Sequence, residues 1–235
     1  MTAKEIVQEL KSLGSETYKK LMLNHGAKEP IYGVKIEYLK EIQKRVKKDY
    51  QLALDLYDTG ISDAMYLAGL IADDAMMTKN DLQRWVEQAD FPMIGEYTVP
   101  WVAAGSPHGR ELGLKWIDSK KEGIAAAGWS TLGSLVSIKD DAELDLAELK
   151  QLLNRVANTI HEQPNRVRYV MNGFVIGVGS YVKSLTDHAL KTAAKIGNVT
   201  VDMGGTACKT PDAAEYIKKV QQRGTIGKKR KSAKC

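Results

Sequence analysis

Cysteine is scarce in this 235-residue chain: Cys208 and Cys235 are the only two, with no CxxC pair and no disulfide-framework spacing. That excludes a stapled secreted scaffold and a thiolate metal cluster, and it fits a reducing, cytoplasmic setting. Histidine is equally thin. His25, His108, His161 and His188 are scattered, and no two stand one helical turn apart as metal ligands would. Cys208 adjoins Lys209, which favours a thiolate, but no histidine partner accompanies it, so neither a metal site nor a cysteine nucleophile is expected. Long apolar runs are missing as well. The most apolar stretch, Tyr169 to Val182, is interrupted by Asn172 and Ser180 and is too short to cross a bilayer. Met1 to Leu13 is an amphipathic pattern with Lys4, Glu5, Glu9 and Lys11 rather than the apolar core of a signal segment. The P-loop and dinucleotide fingerprints are both absent, so no nucleotide cofactor is expected.

Acid is the last thing lacking, and only locally. From Arg223 to Cys235 there are six basic residues (Arg223, Lys228, Lys229, Arg230, Lys231, Lys234) and no carboxylate side chain. Removing these six from the 34 basic residues leaves 28 against 29 acidic ones, a body of net charge −1. The net +5 of the whole chain is therefore a property of its end. A polar, Lys-rich segment buries too little apolar surface to offset its ordering entropy, so residues 223–235 read as a mobile tail beyond a single domain of residues 1–222. Its chemistry suits a polyanion, because clustered Lys and Arg release counterions condensed on phosphate. A solubilising tail is the plainer alternative.

What is present is mostly helix. Apolar residues recur at three- and four-residue steps, with clear stripes at Leu39, Ile42 and Val46 and at Leu149, Leu152, Leu153, Val156 and Ile160. Ser106 before Pro107, Thr210 before Pro211, Thr78 three before Asp81 and Ser184 three before Asp187 read as N-terminal caps. The pattern gives about a dozen short helices, which must bury their stripes on neighbours in series. A stack of helix pairs curving into a superhelix does this most economically; a compact bundle is the alternative. Gly173, Gly177 and Gly179 fall in one apolar helix, where missing side chains would let a neighbouring helix approach closely. After Ile196 the period changes. Val199, Val201 and Met203 alternate with polar residues and Gly204-Gly205 follows, so residues 198–210 read as a short hairpin or an extended loop.

One cluster stands out chemically. In the run from Phe91 to Trp101, Pro100 removes a helical hydrogen bond and clashes with the carbonyl of Glu96, which predicts a bend. Tyr97 and Trp101 lie one turn apart, so a carboxylate sits beside two aromatic rings. Core aromatics with a solvated Glu96 are the bland reading of the same residues.

The chain resembles the DNA alkylation repair proteins built on HEAT-like repeats, whose best-known members are alkylpurine DNA glycosylases. The resemblance rests on Ile31-Tyr32-Gly33-Val34 leading into the helix Ile36 to Lys48, and on Thr98-Val99-Pro100 with an acid just before it. Trp116-Ile117 followed by the helix Gly123 to Val136 completes it. The stretch from Val201 to Pro211, with Gly227-Lys228-Lys229-Arg230, is similar to a subgroup of that family rather than to the glycosylases. The resemblance implies an all-α, HEAT-like superhelix holding DNA, with Glu96 at the position of the glycosylase acid. Such an acid would stabilise the developing sugar cation while an N-alkylated base departs. Where glycosylases have tryptophans this chain has Pro92 and Phe174, and where they have arginines on the backbone it has Ala126 and Gly177, which argues against excision. Arg166, Arg168 and Lys183 in the body and Lys228, Lys229, Arg230 and Lys231 in the tail are then the candidate phosphate contacts. Three readings follow: a monomeric, non-specific binder of duplex or branched DNA; a glycosylase for 3-methyladenine or 7-methylguanine using Glu96 with Tyr97, Trp101 and Phe174 nearby; or a protein-binding helical scaffold.

Overall fold

The computed structural model describes residues 1–234; Cys235 lies outside the described residues. In chain order the helices are α1 Ala3–Leu13, α2 Glu16–Asn24, α3 Ile36–Val46, α4 Tyr50–Tyr57, α5 Ser62–Ile71, α6 Lys79–Gln88, α7 Val99–Gly105, α8 Gly109–Trp116, α9 Glu122–Ile138, α10 Leu146–Thr159, α11 Asn165–Tyr181, α12 Thr186–Ile196 and α13 Ala213–Gln222. They stack as two layers. In one, α3, α5, α7, α9, α11 and α13 follow one another side by side, and in the other α4, α6, α8, α10 and α12 back them. Burial follows the layering. Every residue of α5 is buried, whereas α10 buries only the stripe Leu149, Leu152, Leu153 and Val156. Each such leucine or valine contributes roughly 1.5–3 kcal/mol on leaving water, so the stripes rather than helix propensity hold the stack. Two core clusters result, one in each half of the chain, and Trp101 packs against both.

Local chemistry sets the helix ends, sometimes one or two residues away from the expected place. Thr78 caps α6 as expected, and Asp81 returns the bond to the Thr78 amide, completing a capping box. The caps expected at Thr210 and Ser184 are corrected: Asp212 caps α13 by accepting from the Glu215 amide, and Leu185 precedes α12 without a side-chain cap. The Ser106 cap is corrected likewise. Its hydroxyl accepts from the His108 amide within the turn before α8. Pro100 produces not a simple kink but a π-helical turn, Met93–Thr98, immediately before α7. Thr98 is still helical at the junction and the Val99 amide donates to the Ile94 carbonyl, so the turn and α7 form one continuous helix, and the wider π turn accommodates the proline within it.

Two further expectations change. Among the described residues there is no strand, so the hairpin alternative for residues 198–210 gives way to the extended loop. Its alternation has no second strand to pair with; Asn165 instead donates to the Asp202 carbonyl (2.8 Å) and accepts from the Asp202 amide (2.7 Å), and Val199 is buried. The C-terminal segment is not a free tail. Residues 224–234 form a strap across the ends of the helices, with the Gly227 amide donating to the Ser180 carbonyl (2.9 Å) and the Arg230 amide to the Ser137 carbonyl (2.8 Å). Composition suggested mobility because few of its residues are apolar; what holds it is unpaired helix-end carbonyls, described below. No helix is long and apolar enough to cross a membrane among the described residues.

Candidate nucleic-acid interface

Glu96 sits in the π-helical turn, buried, with its side chain 4% exposed. Both its oxygens are taken by Arg166 near the start of α11: Nε donates to Oε1 at 2.7 Å and Nη2 to Oε2 at 2.6 Å. Burial pushes the Glu96 carboxyl above the usual carboxylate range, and the Arg166 guanidinium pulls against that shift. The same guanidinium stacks over the Tyr169 ring at 4.5 Å, and the Arg166 backbone amide donates to Glu122. Tyr97 and Trp101 meet edge to face at 6.0 Å, and Tyr66 meets Trp101 the same way. Partial burial and the neighbouring Tyr169 hydroxyl push the Tyr97 phenol up, so it stays protonated at any physiological pH. The carboxylate is thus beside aromatic rings, as its spacing suggested. It is also fully engaged by an arginine that the sequence offered as a phosphate contact.

Beyond this pair a cleft of about 740 Å³ runs along α9 and α11. Its floor is small and weakly polar, with Ser130, Gly133, Ser134, Gly173 and Gly177 facing it, and Trp129 and Phe174 packed edge to face at 5.2 Å at one side. Gly177 contacts Gly133 and Gly179 admits Ile217 of α13, where an added Cβ would come within 2.5 Å of that side chain. The close-approach reading therefore holds at Gly179. Gly173 faces open space. The far wall of the cleft is basic: Arg223 at the end of α13 lines it together with Lys228, Lys229 and Arg230 of the strap.

The strap works by satisfying helix C-termini. Lys229 donates from Nζ to the Val136 carbonyl in the last turn of α9 (2.9 Å) and pairs with Asp141 at 2.8 Å. Lys234 donates from Nζ to the Ala72 carbonyl at the end of α5 (2.8 Å) and pairs with Asp74 at 2.7 Å. Ammonium groups placed on the negative ends of two helix dipoles, each with a carboxylate, explain why so polar a segment is ordered. Lys229 is consequently an anchor as much as a phosphate candidate. Arg223, Lys228 and Lys231 have no acidic partner among the described residues, and Arg230 donates to the Lys234 carbonyl.

The other residues singled out from sequence divide. Arg168 turns to Asn165 and is half-buried, away from a phosphate role; Lys183 is exposed and lies beside Gly227 of the strap. Pro92 borders a second apolar pocket with Tyr18 and Met22, whereas Ala126 is buried in α9. Cys208 is a free, exposed thiol on the 198–210 loop. No cluster of three His, Cys, Asp or Glu side chains suited to a metal is found among the described residues. The anchors Asp74 and Asp141 were invisible in the sequence, because nothing local relates them to lysines so far along the chain.

The model of the family described as DNA alkylation repair enzyme matches residues 6–217 of the chain. The protein belongs to that family. Two relatives are similar over nearly their whole length: the uncharacterized protein Lin0241 of Listeria innocua and the uncharacterized protein Lmo0209 of Listeria monocytogenes, each 31% identical over 229 residues, covering 95% of this chain and 99% of theirs. A solved structure representing a new family of proteins related to the HEAT-like repeat DNA glycosylases, with affinity for branched DNA structures, aligns with a TM-score of 0.92 at 36% identity, covering all of both chains. Membership and the HEAT-like repeat fold are thus both established for this chain, as the sequence resemblance implied.

Proposed function

We propose that this member of the DNA alkylation repair family is a cytoplasmic protein that binds branched DNA through phosphate contacts, without excising bases. The observation that carries the reading is the convergence of Arg223, Lys228, Lys229 and Arg230 on one wall of the cleft along α9 and α11. Four cations facing a floor of serine and glycine suit a sugar-phosphate backbone and offer little that reads base edges, which supports binding without sequence preference. The affinity of the 36% identical relative for branched DNA structures supports the choice of ligand. The scarcity of cysteine supports the compartment.

The Glu96–Arg166 ion pair supports binding over excision. With both carboxylate oxygens held by a guanidinium, Glu96 and Arg166 form a buried pair that is neutral as a whole, so little negative field is left to offer a developing sugar cation, and the carboxylate is shielded from water that would attack one. The experiment is a salt titration of binding to a four-way junction, with wild type and with Arg223, Lys228 and Arg230 changed together to Gln. The wild type should bind, and the variant should bind more weakly with a log–log salt slope smaller by about 0.9 for every phosphate left without its cation. An unchanged slope and affinity would refute the role of these cations. Incubation of the wild type with DNA carrying 7-methylguanine should release no base above background.

A further inference from the structure

A second groove, on the other side of the strap, has no assigned role. It has a volume of about 830 Å³ and is lined by Lys44, Lys47 and Lys48 at the C-terminal end of α3, by Lys139 after α9, and by Lys231 and Lys234 of the strap. Asp74 and Glu143 are the acids on its wall. Both are already engaged, Asp74 by Lys234 and Glu143 by Lys139. Lys44 pairs only with its exposed neighbour Glu41, and Lys48 lies 3.6 Å from Asp73. Lys47 and Lys231 have no acidic partner among the described residues, and all four of Lys44, Lys47, Lys48 and Lys231 are exposed. The cationic excess is therefore available to solvent rather than neutralised within the fold.

The backbone adds an independent observation. Lys47 has φ 65° and ψ −139°, and among the described residues it is the only one besides glycine with a positive φ. A long cationic side chain placed where glycine is favoured turns the chain out of α3 at the mouth of the groove, and such outliers concentrate at ligand sites. The two grooves also share a wall. Ala233 lines both, with Lys228, Lys229 and Arg230 on one side of it and Lys231 and Lys234 on the other.

From this we infer that the α3 groove is a second phosphate-backbone site, so that the strap lies between two DNA strands leaving a branch point, one in each groove. The inference rests on the DNA-binding reading above and extends it. It explains a preference for branched over linear DNA without any base contact: a linear duplex fills one groove, whereas a branch presents backbones diverging on both sides of the strap. Counterion release from both grooves then adds to the junction's affinity alone.

The test uses the full chain with Lys44, Lys47 and Lys48 changed together to Glu, titrated against a four-way junction and against a linear duplex of one of its arms. Junction affinity should fall by at least about tenfold and its salt slope by about 0.9 for every phosphate no longer neutralised, while the duplex changes by less than about threefold. The same three positions changed to Gln guard against a folding defect, since they are exposed and keep a similar shape; they should give the same ordering with a smaller loss. Unchanged junction binding, or equal losses on junction and duplex, would overturn the second site while leaving the first intact. A wild type that binds neither DNA would instead sink the underlying DNA-binding reading.

Discussion

Glu96 illustrates how one residue's role depends on a partner far along the chain. A carboxylate beside Tyr97 and Trp101 was legible from spacing alone, but its neutralisation by Arg166 was not, because no local pattern relates the two residues. Replacing Arg166 with Met leaves a buried carboxylate without a partner and should cost about 3 kcal/mol in thermal or denaturant unfolding at neutral pH. The pH dependence has a definite sign. Burial already holds the Glu96 pKa above its unfolded value, and losing Arg166 raises it further, so the variant's deficit should shrink as the pH falls below the raised pKa and grow as it rises through it. A deficit constant with pH would mean that the ion pair is not its source. Gly173 is a second case. Three glycines in one helix looked like a packing device, yet only Gly179 meets a neighbour that would resist a side chain. Gly173→Ala should therefore raise stability by about 0.5–1 kcal/mol through helix propensity, measurable as a higher unfolding midpoint.

At the scale of the element, the strap is where composition misled most. Counting apolar residues predicted mobility between Arg223 and the end of the chain, and the count was right: only Ile226 and Ala233 contribute to the core there. What composition omits is the supply of unpaired carbonyls at helix C-termini, which lysines reach without any hydrophobic driving force. The Lys234–Asp74 pair shows the balance. Burial lowers the Lys234 pKa and raises that of Asp74, so desolvation outweighs attraction at both partners. A pair in this condition contributes little net stability but is costly to break from one side. Lys234→Met alone should destabilise by on the order of 2–3 kcal/mol, whereas Lys234→Met with Asp74→Asn should recover most of that loss, as a double-mutant cycle in denaturant would reveal. Additive effects would indicate that the two side chains act independently.

Over the whole molecule, the periodicity of apolar residues determined that the chain is helical and that its helices stack in series, because a three-to-four-residue stripe has to be buried on a neighbour. The stripes at Leu39 and Ile42 and at Leu149 to Val156 are buried as that argument requires. Charge counting likewise located the cations at the C-terminus without reference to any fold. Tertiary structure decided where those cations point. Stacking brings the ends of α5, α9 and α11 into one row, the row of carbonyls captures Lys229 and Lys234, and the strap so fixed turns a basic sequence into the wall between two grooves. Hydrophobic period is a local property and can be read along a chain, whereas ion pairs and helix-end contacts join residues whose separation in sequence says nothing of their distance in space.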